Sequence, residues 1–281
     1  DAANKGFIDG LASKGYKEGQ NITFDKQNAQ ADQSNLQNIA HRFVNNKVDL
    51  ICAIATPAAQ TVANVTSDIP IVATAVTDYK TAKLVKDNAK PGTNVTGTTD
   101  MNPVSEQLDL LLKLVPNAKT IGTIYCSSEV NSQLQVELLK KAAAAKGVTV
   151  KEATVSTVND IQQAARSLAG DVQAVYVPTD NVLASAIPTL ISVTEEAKLP
   201  VICAEGGMVR AGGLATLGVD YYKLGFQTGV MAADILSGKA KPADMAIQAQ
   251  KEFKPTINLK EAAKIGLTVP EDLLKGAEVI K

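Results

Sequence analysis

Tryptophan is absent, histidine occurs once, and aromatic residues make up only 4% of the chain. Few platforms for stacking nucleobases are therefore available. Neither sign of charge dominates: 28 Lys and Arg face 29 Asp and Glu, for a net charge of −1. Bulk charge draws in neither nucleic acid nor an anionic membrane. No apolar run approaches the ~20 residues that a membrane span needs, and no charged-apolar-small leader pattern opens the chain. The glycine motifs of common enzymes are missing too. There is no GxSxG elbow, no GxxxxGK[ST] phosphate loop and no GxGxxG after a strand. The lone His41 sits in NIAHRFV, a helical stretch well away from a strand end, and Cys126, at a strand end before Ser-Ser-Glu, has no histidine near it in sequence. Catalysis is not expected, nor is a cofactor.

The cysteines number three. Cys52, Cys126 and Cys203 each lie in or at the end of an apolar run, LICAIA, IGTIYC and LPVICAE. They read as buried or half-buried thiols. None is spaced for a metal site, so no metal is expected. An odd set of scattered cysteines fixes neither a disulfide nor a redox compartment.

Two domains are a natural division for 281 residues. Short β-rich runs alternate with longer stretches at helical spacing. The runs include Ile22–Asn28, Asp49–Ala55, Pro70–Ala75, Val95–Thr98, Thr120–Cys126, Thr149–Val155, Ala174–Pro178, Pro200–Ala204 and Leu214–Gly218. The helical stretches include Ala2–Lys14, Pro57–Val65, Val130–Lys146, Val182–Ala197 and Tyr222–Ser237. Near-continuous apolar strands in strict alternation with helices indicate parallel sheets covered on both faces, an α/β architecture. Glycines stop helices at Lys14-Gly15, Lys146-Gly147 and Ser237-Gly238. Thr56-Pro57 and Asn102-Pro103 read as an N-cap followed by proline at the first helical position. The chain opens on a helix, whereas a doubly wound sheet places a strand before it. A strand is expected to be missing from the centre of the first sheet.

A weak repeat marks the lobes. Gly97-Thr-Thr-Asp100 and Gly218-Val-Asp220 each end a strand and lead into a helix, and a third crossing falls near Gln248–Phe253. The expected division is residues 1–98 plus 219–248 as one lobe and 99–218 plus 249–281 as the other, with a ligand cleft between them that closes about the crossovers.

Ligands of open α/β sheets bind beyond the carboxyl ends of the strands. Polar residues stand at several such ends: Thr56; Thr77 and Asp78; Ser128, Asn131 and Ser132; Asp180 and Asn181; Glu205. Backbone N–H groups at a helix start, with hydroxyls and amides beside them, suit a carboxylate. Asp78, Asp180 and Glu205 suit an ammonium. A free amino acid carries both. Each of these residues is also suited to capping its own helix. The segment from Ser128 to Ser132 is read as a carboxylate anchor, with the Asn131 amide as a donor and Glu129 pointing away.

The segments DAANKGFIDGLASKGY, AIATPAAQ, AVTDYKTAKLV, PGTNVTGTTD, YCSSEVNS, YVPTDN and LGVDYYKLGFQTGVMAADIL resemble, in order and across nearly the whole chain, the ABC transporter substrate-binding proteins that include receptors for tryptophan and other aromatic amino acids. The resemblance implies a type I periplasmic-binding fold, an aromatic amino acid (Phe, Trp or Tyr) as ligand, and ABC permease subunits as partners. It also implies a monomer on the outer side of the cytoplasmic membrane, periplasmic or lipid-anchored, with an export signal. Carried over by position, the ligand shell is Thr56, Ala58, Thr77, Asp78, Ser128, Asn131, Ser132, Asp180, Asn181 and Glu205. Tyr79, Cys126-Ser127 and Glu205 depart from residues frequent in the family. The alternative is an effector-sensing domain of a transcription regulator or sensor kinase built on the same fold.

Overall fold

A computed structural model describes residues 1–281. In chain order the elements are α1 (Ala2–Ser13), α2 (Gln33–Asn45), β1 (Ile51–Ile54), α3 (Thr56–Val65), β2 (Ile71–Val76), β3 (Val95–Thr99), α4 (Val104–Leu114), β4 (Thr120–Cys126), α5 (Val130–Ala145), β5 (Thr149–Val155) and α6 (Ile161–Ala169). There follow β6 (Ala174–Val177), α7 (Asn181–Ser185), α8 (Ile187–Glu196), β7 (Val201–Cys203), α9 (Gly206–Arg210), β8 (Ala215–Gly218), α10 (Tyr221–Leu236), β9 (Gln248–Ala249), β10 (Lys254–Asn258), α11 (Leu259–Lys264), α12 (Glu271–Leu274) and β11 (Glu278–Ile280). The alternation predicted from periodicity is present, and the fold is α/β.

The chain divides into two compact units: Asp1–Met101 with Asp220–Lys251, and Asn102–Val219 with Glu252–Lys281. In the first, four parallel strands lie in the order β1-β2-β3-β9. They are consecutive neighbours, and β1 forms an edge with no strand paired on its outer side. Ile22–Asn28, expected as a strand, makes only an isolated bridge between Glu18 and Ile22. An extended segment without an adjacent strand has no ladder to join, whatever its β propensity. Strand β2 is central, and Ile71, Val72 and Ala73 are fully buried there. Val72 packs with Phe7 and Leu11 of α1 and with Ala232 and Ala233 of α10. Tyr79 is wholly buried, its hydroxyl 2.8 Å from the Ala73 carbonyl and 2.9 Å from that of Thr98. The Ala73 carbonyl, with the Tyr79 hydroxyl beside it, occupies the space that a side chain at Gly97 would need, and Gly97 has a φ of +152°.

The second unit has a seven-stranded sheet ordered β11-β10-β8-β7-β6-β4-β5. All pairings are parallel except β10 against β8. One apolar cluster gathers Leu108 and Leu111 of α4 with Ile121, Leu139 and Tyr176. Another gathers Ile124, Val177 and Cys203 with Ile161 of α6 and Leu190 of α8. Ile121 and Ile124 of β4 fall in different clusters, as alternation across a sheet covered on both faces requires. Strand β5 is an edge, half-exposed and carrying Lys151 and Glu152, charges that discourage pairing with another chain.

Three helix boundaries differ from expectation. At α4 the N-cap is Pro103 rather than Asn102, and Val104 is the first helical residue. Val182–Ala197 is broken into α7 and α8, because Pro188 cannot donate within a continuous helix and Ala186 turns out of helical geometry, with φ −138° and ψ 31°. At α3 the N-cap is Ala55, and Thr56 is already the first helical residue. The glycine stops hold: Gly15, Gly147 and Gly238 have φ of +92°, +68° and +76°. No helix is long and apolar enough to cross a membrane.

Candidate functional site

In the first unit the carboxyl ends of β1 and β2 lie side by side, since Ile54 is paired with Thr74. Thr56 and Ala58 open the helix after β1. Ala55, ahead of them, has φ +89°, a strained value for a residue with a Cβ. That turn is closed by Ala55 N–H donating to Thr74 O at 3.0 Å. No side chain caps α3, and Pro57 has no N–H. The first-turn N–H groups of Thr56 and Ala58 therefore lack partners within the helix. The Thr56 hydroxyl is buried and has no hydrogen-bond partner. An uncapped helix start beside a buried hydroxyl has the chemistry that suits an anion.

Thr77 and Asp78 follow β2. The Thr77 hydroxyl donates to Asp100 Oδ1 at 3.1 Å, and the Thr77 carbonyl accepts from Thr99 Oγ1 at 2.7 Å. Asp100 is buried and also accepts from the Tyr221 hydroxyl at 2.7 Å. Burial pushes its carboxyl above the usual range, against the hydrogen bonds from Tyr221 and Thr77. Asp78 is half-buried and accepts from Thr81 N–H at 2.6 Å, closing its own turn.

In the second unit, β4 and β6 are adjacent, and their carboxyl ends carry α5 and α7. Glu129 does not point away. It is 5% exposed, and its carboxylate accepts from Asn181 N–H at 3.0 Å, Asn181 Nδ2 at 2.7 Å, Val182 N–H at 3.2 Å and Asn131 Nδ2 at 2.9 Å. The N–H groups it takes open α7, a helix other than the one it precedes. This is a correction with a plain cause: α7 starts on the neighbouring strand end, within reach of a side chain that its own helix cannot use.

Asn131 is also oriented differently from expectation. Its Nδ2 is committed to Glu129 and, at 2.7 Å, to the Thr179 carbonyl. Its Oδ1 is buried without a partner. The residue thus presents an acceptor, where the sequence reading assigned it as a donor to a carboxylate. Ser132 donates to Asp180 Oδ2 at 2.7 Å. Asp180 also accepts from Cys126 N–H at 2.7 Å and Leu183 N–H at 2.9 Å. Both Asp180 oxygens are engaged internally. Burial, then the Glu129 charge, push its carboxyl to about 6.

Ser128 is exposed, its hydroxyl 3.2 Å from Cys126 Sγ, outside the buried network. Glu205 caps α9, accepting from Met208 N–H at 2.7 Å and from Gly207 N–H. The second unit thus unites Asn131, Ser132, Asp180 and Asn181 in one network. Ser128 and Glu205 stand apart from it.

Sequence reading missed Gln135, Thr179, Asp100 and Tyr221. Gln135 Oε1 accepts from Thr179 N–H at 2.8 Å, and its amide donates to Thr179 Oγ1 at 2.5 Å. Gln135 lies one helical turn after Asn131, so helical spacing was the available signal. Nothing in the sequence pairs Asp100 with Tyr221. His41 is exposed on α2, and the three cysteines are free thiols, Cys52 half-buried and the others buried. Burial pushes the Cys52 thiol up to about 12, unsuited to nucleophilic chemistry.

Comparison with known proteins identifies the family. The sequence matches the family described as ABC transporter substrate binding protein over residues 1–281. It is 46% identical over 258 residues to a tyrosine-binding protein of Clostridioides difficile, covering 92% of this chain and 74% of that one. A crystal structure of an ABC domain with L-Trp from Streptococcus pneumonia superposes with a TM-score of 0.96 at 42% identity, covering 100% of this chain and 95% of that one. A conserved domain protein of Vibrio cholerae superposes at 0.97 with 41% identity and the same coverage. A leucine-binding protein of Thermotoga maritima, 12% identical with a TM-score of 0.63, shares the type I periplasmic-binding fold. With strand-end polar clusters in both α/β units and a match over its full length, the chain belongs to the ABC transporter substrate-binding protein family.

Proposed function

We propose that this chain is the non-catalytic, extracytoplasmic solute receptor of an ABC importer, and that its ligand is a free aromatic amino acid. The observation that carries the reading is a pair of buried polar atoms without partners, Thr56 Oγ1 and Asn131 Oδ1. An orphaned buried group costs on the order of 1–3 kcal/mol, and strand ends are where this architecture receives ligands. Their chemistry is complementary. Thr56 stands at an uncapped helix start, which favours a carboxylate. Asn131 offers a carbonyl oxygen, which favours an ammonium. An α-amino acid demands both kinds of anchor. Relatives named for tyrosine binding and solved with L-Trp support an aromatic side chain. A permease partner, an export signal and a lipid anchor belong to the same reading.

A thermal-shift screen of the twenty amino acids tests it. Tyr, Trp or Phe raises the melting temperature most. At ~100-fold excess over Kd the gain in stability is ~2.7 kcal/mol. A screen in which only sugars shift the transition rejects the proposal.

A further inference from the structure

Glu129 is a buried carboxylate whose partners are all neutral. Its donors are the backbone N–H groups of Asn181 and Val182 and the side-chain amides of Asn181 and Asn131. No lysine or arginine pairs with it. A second carboxylate, Asp180, lies in the same network through Ser132 and Asn131, and its own partners are the Ser132 hydroxyl and backbone N–H groups. Burying charge of one sign without a counter-ion is costly, and the surplus here is negative.

Asn131 sits at the edge of this cluster with one amide face used and the other unused. The used face is Nδ2, within hydrogen-bond distance of Glu129 Oε2 and the Thr179 carbonyl oxygen. Reversing the amide would set Oδ1 against a carboxylate oxygen and a carbonyl oxygen. Two acceptors facing each other repel, so the orientation is fixed by the network.

We propose that Glu129 is a positioning residue: by taking Asn131 Nδ2 as a donor it fixes Asn131 Oδ1 as an acceptor, and it supplies the uncompensated charge that selects ligands bearing a protonated amine over their hydroxy-acid and oxo-acid counterparts. The inference rests on the proposed amino-acid ligand and deepens it. An ammonium donates to Oδ1 and answers the buried negative charge at once. A hydroxyl donates without charge. A keto oxygen meets Oδ1 as another acceptor. A site whose polar groups are left unmatched rejects the analogue on the order of 10²-fold or more.

The test uses the 281-residue chain and isothermal titration with L-tyrosine against 4-hydroxyphenyllactate, and L-tryptophan against indole-3-lactate. Wild type prefers the amine of each pair by on the order of 10²-fold. In Glu129→Gln one oxygen becomes an NH2 group, which faces the donors that the carboxylate received, removes the charge and weakens one of the two acceptors that hold Asn131 Nδ2. Affinity for the amino acid falls by about 10-fold or more, as expected for losing a charged partner. The hydroxy acid changes by less than about threefold, so the preference collapses. A purely structural cap would weaken both ligands alike and leave their ratio unchanged, and that result overturns the proposal. If circular dichroism shows that Glu129→Gln does not fold, Asn131→Ala reads the same acceptor while leaving the Glu129 contacts to Asn181 and Val182. The Glu129 charge remains in that variant, so the preference shrinks rather than vanishes, and a preference as large as that of wild type is equally fatal. Wild type binding neither amino acid would instead reject the functional reading beneath it.

Discussion

The carbonyl oxygen of Ala3 occupies the place where a Cβ on Gly225 would have to go. The relationship repeats in both directions along α1 and α10. The Tyr222 and Phe226 carbonyls block Gly6 and Gly10, and the Phe7 carbonyl blocks Gly229. The two helices touch backbone to backbone, and they cover β2 and the buried face of the first unit. Gly225→Ala and Gly229→Ala are therefore expected to destabilise by about 3 kcal/mol, at the upper end of overpacking costs, because backbone cannot step aside as a side chain can. Urea unfolding measures this. A variant as stable as wild type would mean that the helices stand further apart.

Gly170 provides the opposite case. It ends α6 with φ −83° and ψ −13°, an ordinary helical conformation, and a Cβ there would meet nothing within 4 Å. Gly170→Ala should stabilise by roughly 0.4–1 kcal/mol by restricting the unfolded chain. The same measurement applied to Gly147→Ala should show a loss, because that residue has φ +68°. A gain at Gly147 or a loss at Gly170 would contradict the backbone assignment.

The order of strands and helices was legible because periodicity and glycine stops are local signals. Ile22–Asn28 misled because β propensity is local while a ladder needs a neighbour. The candidate residues could be picked out as positions, since each group follows an apolar strand, but which of them meet could not. Their roles were less so. Glu129 precedes α5 in sequence but caps α7, and Asn131 presents its oxygen because Glu129 and the Thr179 carbonyl hold its nitrogen. Such cross-strand pairing depends on β4 lying beside β6, which no local pattern encodes. Ala55 with φ +89° is likewise silent in sequence, because alanine carries no sign of a strained backbone.

Thr56→Val separates a ligand contact from a fold contact. The hydroxyl is buried without a partner, so its loss removes no bond that the fold uses. Valine is nearly isosteric, and an unpaired buried hydroxyl is itself unfavourable. The melting temperature of the free protein is expected to hold or rise slightly. Affinity for the amino acid should fall by roughly 1.5–3 kcal/mol, the value of a hydrogen bond to a charged group. Calorimetric titration beside a melting curve decides the matter. Lost stability with full affinity would make Thr56 part of the scaffold alone.

Glu261 makes stability depend on pH. It is 3% exposed in the first turn of α11, where Asn258 Oδ1 accepts from its N–H at 3.0 Å. Burial, followed by the neighbouring Glu195, pushes its carboxyl from 4.5 to about 7, while Lys264 pulls the other way. Lys264 favours Glu195, at 2.6 Å, over Glu261, at 3.8 Å. Glu195 is held below its usual range by that partner. The folded state therefore holds a proton on Glu261 more tightly than the unfolded chain does. Its contribution is fully present below about pH 4.5 and is lost as pH rises through about 7. Glutamine mimics the protonated acid, and its amide can donate to Glu195 in the same way. Glu261→Gln should match wild type near pH 5. At pH 8 it should be more stable by about 1 kcal/mol, roughly 2–4 °C in Tm for a chain of this size. Melting curves of both proteins across that range supply the test. An offset that is the same at pH 5 and pH 8 would show that Glu261 does not titrate between them.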